Sequence, residues 1–196
     1  VRVANSLFQF NGSGAGTTNR DGRGTNAAAT FFVRGAQPII INNIVRDSLG
    51  PVASIDASSL KATDNADWGR STGNISRNGQ YDGNDGPLVR GNRLSNNAVN
   101  GMEVRGGVLT TETVWDDTDI VHVLRSEISV FNHQVYSGVR LQSSPTQSLV
   151  VKLLGANAGF TADGVPLDIS DRIGGTVQIV GQPGRHEPLD LAGRRS

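Results

Sequence analysis

Residues 91–107 read GNRLSNNAVNGMEVRGG, and this stretch holds both parts of the repeat that decides the fold. One part is Asn-x-φ, where φ is an apolar residue, and the other is a φ-x-φ strand. The first part recurs as Asn5-Ser6-Leu7, Asn42-Asn43-Ile44 and Asn92-Arg93-Leu94, and the second as Ala53-Ser54-Ile55, Met102-Glu103-Val104 and Val139-Arg140-Leu141. A solenoid rung needs such a pattern, because it buries its apolar face only against the rungs above and below. The sequence therefore predicts an all-β parallel solenoid.

The overall composition is typical of a chain with many corners and few helices. The 196 residues include 25 Gly and only 36% hydrophobic residues, and helix-period runs are absent. The 18 basic and 18 acidic residues cancel, so no long-range field attracts nucleic acid.

No cysteine is present, which excludes disulfides and thiolate metal sites. The chain has no run of 18 apolar residues, so the sequence predicts no membrane span. Because the chain starts at Val1, on a predicted strand, we expect a processed product or a piece of a longer polypeptide.

Short β-branched segments between turn residues outline the rungs. The predicted strands lie within 1–10, 29–33, 38–45, 52–55, 88–104, 108–114, 120–124, 128–131, 139–141, 149–154, 167–169 and 175–180. The polar, Gly-rich stretches 11–26 and 62–86 are predicted to be two long surface loops. One β-helix domain then spans 1–184, and the polar segment 185–196 forms a tail or an end cap. A β-sandwich is the alternative fold, for which Asn100-Gly101 is the one dipeptide placed as a hairpin turn.

The rung segments resemble the right-handed parallel β-helix superfamily, the pectate-lyase-like fold. The segment from Gly86 to Gly184 is similar to a module of very large secreted or surface proteins of environmental bacteria, on the phrases GNRLSNNAVNGMEVRGG, WDDTDIVHVL, GVRLQSSPTQSLVVKL and DRIGGTVQIVGQPG. The resemblance implies an extracellular or cell-surface location and a structural role. It supplies no catalytic residue.

Asn5, Asn42 and Asn92 are predicted to form a structural ladder at one corner of the solenoid. Amide side chains stacked at about 4.8 Å can hydrogen-bond from rung to rung. Two other asparagines, Asn11 and Asn74, begin N-x-S sequons in predicted surface loops and are glycosylation candidates.

The second long loop gathers carboxylates that could hold a hard cation. Asp64, Asp67, Asp82 and Asp85 lie there among asparagines and glycines, and Ca²⁺ prefers such oxygen ligands. The EF-hand spacing and the Gly-rich nonapeptide repeat are both absent. Turn formation through side-chain hydrogen bonds explains the same residues, so no cofactor is required, and Ca²⁺ is the alternative.

The segment Trp115-Asp116-Asp117-Thr118-Asp119 is the strongest candidate for glycan chemistry. The enzymatic interpretation pairs Asp116 and Asp119 for acid–base work, with Trp115 as a sugar platform. It needs the carboxylates to converge with Arg90 and Arg93. The simpler interpretation is a solvated corner between two strands, with His122 pointing outward.

We expect a non-catalytic structural solenoid of an extracellular protein. Its partners would be copies of itself or neighbouring modules, because open strand edges favour assembly into filaments. The alternative is a protein that binds or cleaves polysaccharide along the side of the solenoid.

Overall fold

The computed structural model describes residues 1–12, 28–61, 81, 85–131, 138–162 and 175–181, and the backbone of 66–67 and 76–77. These residues form short strands and one turn of 3₁₀ helix at Ala57–Ser59. The strands are β1 (Arg2–Ala4), β2 (Leu7–Gln9), β3 (Phe31–Val33), β4 (Ile39–Ile41), β5 (Ile44–Arg46), β6 (Pro51–Asp56), β7 (Ala66–Asp67), β8 (Ser76–Arg77), β9 (Leu88–Arg90), β10 (Arg93–Ser95), β11 (Val99–Arg105), β12 (Gly107–Val108), β13 (Thr113–Trp115), β14 (His122–Leu124), β15 (Glu127–Ser129), β16 (Gly138–Gln142), β17 (Val151–Leu153), β18 (Gly159–Thr161) and β19 (Thr176–Val180).

The strands stack into parallel sheets. A five-stranded sheet, β3-β6-β11-β14-β17, runs through the whole stack, and we call it the spine sheet. Sheets β1-β4-β9 and β2-β5-β10 form an N-terminal block, and sheets β12-β15-β18 and β13-β16-β19 form a C-terminal block. Among the named strands only β7 and β8 pair antiparallel. The predicted all-β parallel architecture is confirmed at this level, and a sandwich of antiparallel hairpins does not fit it.

Aligned aliphatic columns fill the core. Val33, Ile55, Val104, Leu124 and Leu153 follow one another in register across the spine sheet. Ile55, Val104 and Leu124 are at most 1% exposed. Each such side chain contributes roughly 1.5–3 kcal/mol when fully buried. The alternation of inward and outward residues that defines φ-x-φ therefore sets which face of each rung is buried.

Asn100-Gly101 does not turn a hairpin. Both residues lie inside β11, where the register with β6 shifts between Val99 and Met102. The predicted strand at 108–114 also differs, because β12 ends at Val108 and β13 begins at Thr113. The predicted strand at 167–169 and the segment 185–196 lie outside the described residues.

The first corner of the N-terminal block uses left-handed backbone. Asn5 and Asn42 have φ of 54° and 56°. We call β9, β10 and β11 the third rung; Gly91, which aligns there with Asn5 and Asn42, has φ of 64°. Asn and Gly adopt this conformation with the least strain. Two of the predicted ladder residues therefore make the turn itself rather than the ladder.

The amide ladder lies one residue further along the chain. Asn43 accepts from the backbone N–H of Ser6 at 3.1 Å, and Asn92 accepts from the backbone N–H of Asn43 at 3.0 Å. The Asn43 Nδ2 group also donates to Asn92 Oδ1 at 3.0 Å and to the Val3 carbonyl at 3.1 Å. The column is thus Ser6, Asn43 and Asn92, and the predicted set of Asn5, Asn42 and Asn92 is correct only at Asn92.

A second corner repeats the same design with different residues. Phe10, Asp47 and Asn96 have positive φ there. One residue after these corner positions, Ser48 and Asn97 form a second side-chain column. The Ser48 N–H donates to Asn97 Oδ1 at 3.1 Å, and Asn97 donates its own N–H to Asn100 Oδ1 at 3.2 Å. Asn100 belongs to the same rung as Asn97, so the second column ends at the third rung.

Candidate functional site

The segment Asp116–Asp119 crosses the edge of β9, where the N-terminal block ends. Asp117 Oδ1 accepts from the Val89 N–H at 3.0 Å, and Asp119 Oδ2 accepts from the Gly91 N–H at 2.6 Å. Just before β9, the N–H of Asp85 donates to Asp116 Oδ2 at 3.3 Å. We call Asp116, Asp117 and Asp119 the carboxylate cap, because their side chains take the place of a fourth strand beside β1-β4-β9.

The alternation of the β9 backbone explains why the cap uses this spacing. The Leu88 N–H donates towards β4, to the Pro38 carbonyl at 3.0 Å. Every second N–H of a strand points to the same side, so Val89 and Gly91 both present theirs to the open edge. Asp117 and Asp119 have the matching two-residue separation, and their oxygens reach these two N–H groups although residues 118–119 form a turn. The cap gives the buried Val89 N–H a partner that it would otherwise lack, and it also pairs the exposed N–H of Gly91.

Burial changes the acid–base properties of the cap. Asp116 is 4% exposed and Asp117 is 1% exposed. Burial, reinforced by the nearby Asp85, raises the pKa of Asp116 to about 7, and Arg90 partly opposes the shift. Burial also raises the pKa of Asp117 well above its usual range, although its hydrogen bond from Val89 opposes this. The predicted solvated corner is therefore wrong for these two residues, and only Asp119 is exposed.

Arg90 connects the cap to a turn of the C-terminal half. Its Nη1 donates to Thr118 Oγ1 at 2.9 Å and to Gln147 Oε1 at 3.0 Å. Thr118 Oγ1 also donates to Gln147 Oε1 at 2.9 Å. Neither Thr118 nor Gln147 was predicted, because no sequence pattern relates positions so far apart. These bonds hold the turn around Ser144 and Gln147 over the crossing segment.

A shallow open groove of about 270 Å³ lies on this part of the surface. Its lining residues are Tyr81, Arg90, Gly91, Asp119, Ser144, Thr146 and Gln147. Two of the predicted glycan residues, Arg90 and Asp119, thus meet at one groove. Arg93 is exposed on β10 and is not among the lining residues, and neither are Trp115 and Asp116.

Trp115 and His122 belong to the core. Their rings stack with centroids 5.3 Å apart and planes 15° apart, and Trp115 also packs against Phe160. Trp115 is 1% exposed and His122 is fully buried, so the predicted sugar platform and the predicted outward histidine are both wrong. Burial lowers the pKa of His122 to about 4. His122 is a neutral core side chain.

Most of the remaining predicted residues lie outside the described part of the chain. Asp64, Asp82 and Asn74 are among these, and of Asp67 only the backbone in β7 is described. Within the described residues, no three His, Cys, Asp or Glu side chains form a group that could hold a metal ion. Asn11 is half-buried, and its N–H donates to Ser48 Oγ at 3.3 Å.

Comparisons with protein families, with curated proteins and with solved structures give no match to this chain. No helix in the described ranges has the length and apolarity required to cross a membrane. The chemistry of the cap and the groove is therefore the basis for any functional assignment.

Proposed function

We propose that this chain is a structural, non-catalytic segment of a right-handed parallel β-helix in an extracellular or cell-surface protein. The observation that carries the proposal is that the carboxylate cap binds backbone N–H groups of the chain itself. The three carboxylates that could do acid–base chemistry accept hydrogen bonds from backbone N–H groups of Asp85, Val89 and Gly91. Asp116 and Asp117 are also shielded from solvent, so a substrate bond has no access to them.

Open strand edges support a role in assembly. Within the described residues β1, β2 and β3 lie at one end of the stack, and β17, β18 and β19 lie at the other. Leu7 and Phe10 are 53% and 78% exposed at the first end, and Ile179 is 65% exposed at the second. Strand pairing with a further module, or with another copy in a filament, would cover these groups.

The structural role is tested by a screen for turnover on pectate, alginate and neutral glucans. We expect no unsaturated product and no release of reducing ends. Turnover that Asp116→Asn or Asp119→Asn abolishes would overturn the structural role and favour polysaccharide cleavage. Sedimentation over a range of protein concentrations tests assembly separately, since a strictly monomeric species at high concentration would contradict the filament.

Polysaccharide binding without cleavage is the second candidate, and the groove beside Arg90 and Asp119 favours it. Its polar lining and open shape suit a sugar ring better than an apolar ligand. Calorimetry with neutral and acidic oligosaccharides tests this, with Gln147→Ala as the variant and Gln178→Ala, which lies on β19 away from the groove, as the control. A lack of binding would remove this candidate.

A further inference from the structure

The two edge strands of the third rung differ in how they are covered. The edge of β9 is occupied by the carboxylate cap, and the second corner column is closed by Asn100. β10, between them, pairs only with β5, and no other strand that the structure describes lies on its second side. This edge is also not at an end of the stack, since the spine sheet continues beyond the third rung through β14 and β17.

The open side of β10 presents regular backbone donors. The Arg93 N–H donates to the Asn43 carbonyl of the second rung at 2.8 Å. Because N–H groups alternate along a strand, those of Asn92 and Leu94 point to the opposite, open side. An extended chain that pairs there would continue the sheet β2-β5-β10 by one strand.

The side chains of β10 indicate the chemistry of the partner. On the inward face, Phe8, Val45 and Leu94 form a column in which Val45 is fully buried and Leu94 only half-buried. An apolar residue on the next strand would complete this column. On the outward face Arg93 is exposed and forms no ion pair with any described residue, so an acidic residue would complement it.

The carboxylate cap limits what can pair with β10 to a single strand and excludes a whole rung. A second copy that stacked a complete rung here would need its next strand to pair with β9. The side chains of Asp117 and Asp119 already occupy the N–H groups of that edge. Only a single extended segment therefore fits beside β10.

We propose that the open edge of β10 binds an extended peptide segment of a partner protein, in which apolar and acidic residues alternate. The peptide pairs with β10, places an apolar side chain over Leu94 and sets a carboxylate beside Arg93. Edge strands that a protein leaves uncovered are the usual sites of such strand addition.

The test is titration of the ¹⁵N-labelled chain with a capped seven-residue peptide of alternating valine and glutamate. We expect saturable shifts of the amide signals of Asn92, Leu94 and Asn96. A peptide with lysine in place of glutamate should bind about tenfold more weakly, and Arg93→Glu should reverse that preference. The same valine–glutamate peptide with an N-methyl group on every residue should not bind, because neither of its edges then offers an N–H group for pairing with the strand.

Several outcomes would overturn the proposal. Shifts confined to β2, equal binding of the N-methylated peptide, or no shifts at millimolar peptide would each show that β10 is not the binding edge. Concentration-dependent shifts of the β10 amides without peptide would show that a second copy fills the edge instead. None of these results depends on whether the chain is catalytic or forms filaments.

Discussion

The amide ladder and the carboxylate cap satisfy the same kind of backbone group with different side chains. In the ladder, Asn43 accepts from Ser6 below and donates to Asn92 above. In the cap, Asp117 and Asp119 accept from β9, and a carboxyl group lacks the NH₂ group with which an amide donates to the next rung. An amide column can therefore repeat at every rung, whereas a carboxylate row ends a sheet.

Charge reinforces this difference. Asparagine is neutral, so stacked amides carry only the cost of burial, which their hydrogen bonds offset. Buried carboxylates also carry the cost of losing water and of repelling each other, and burial accordingly raises the pKa of both Asp116 and Asp117. A buried Asp row is thus tolerated once, at an end, and is unsuited to repetition.

The largest expected effect comes from removing the buried acceptor of the cap. Asp117→Val leaves the Val89 N–H without a partner in a site that is 1% exposed. We expect a loss of about 3 kcal/mol in the free energy of unfolding. Asp117→Asn keeps an acceptor oxygen and should stay within about 1 kcal/mol of the parent chain. Urea unfolding measures both, and equal losses for the two variants would show that the hydrogen bond is unimportant.

Breaking the ladder at its centre should cost somewhat less. Asn43→Ala removes the acceptor of the Ser6 N–H and the donor to Asn92 and Val3. A loss of about 2 kcal/mol is expected. Asn42→Gly is the matched control, because glycine accepts the φ of 56° at that corner and should change stability by less than about 0.5 kcal/mol. A larger loss for Asn42→Gly than for Asn43→Ala would favour the ladder that the sequence predicts, with Asn42 as its middle member.

Stability should depend on pH through Asp116 and His122, with opposite signs. The folded pKa of Asp116 is raised from 3.8 to about 7, so the folded state holds its proton more tightly and stability falls as pH rises through that window. The folded pKa of His122 is lowered from 6.5 to about 4, so stability falls as pH drops through that window.

Two variants separate these contributions. Asp116→Asn should remove the contribution of Asp116 to the first slope, which is at most about 1.4 kcal/mol per pH unit for one group. The slope that Asp117 contributes has the same sign, because its pKa is also raised, and it should remain in this variant. His122→Asn should remove the slope of opposite sign. Urea midpoints at pH 5, 6, 7 and 8 measure the two profiles. A pH profile that Asp116→Asn leaves unchanged would contradict the raised pKa.

The smallest effect is expected where the second corner column ends. Asn100 accepts from the Asn97 N–H at 3.2 Å and from its Nδ2 at 2.8 Å, at an exposed site. Asn100→Ala should therefore cost only about 0.5–1 kcal/mol, since water replaces part of what is lost. Urea unfolding beside the Asn43→Ala variant measures the difference, and a loss as large as that of Asn43→Ala would mean that the column end is as important as its middle.

The sequence predicted which segments form strands better than it predicted which residues stack from one rung to the next. The short β-branched segments identified most strands of the spine sheet and both sheets of the N-terminal block. The ladder was misplaced by one residue because Asn42 and Asn43 are adjacent, and only the left-handed corner shows which of the two turns and which stacks. Composition alone does not distinguish these roles, since asparagine suits both.

Local pattern, by itself, determined that this chain forms short parallel strands with apolar faces and Asn-rich corners, because alternation and turn chemistry act over a few residues. The tertiary structure alone decided the fate of Asp116, Asp117 and His122, which the local pattern predicted to be solvated. Their burial depends on β9, which lies about 30 residues earlier, and on the turn at Gln147. Burial is a property of what lies above and below a rung, and a single rung does not encode its neighbours.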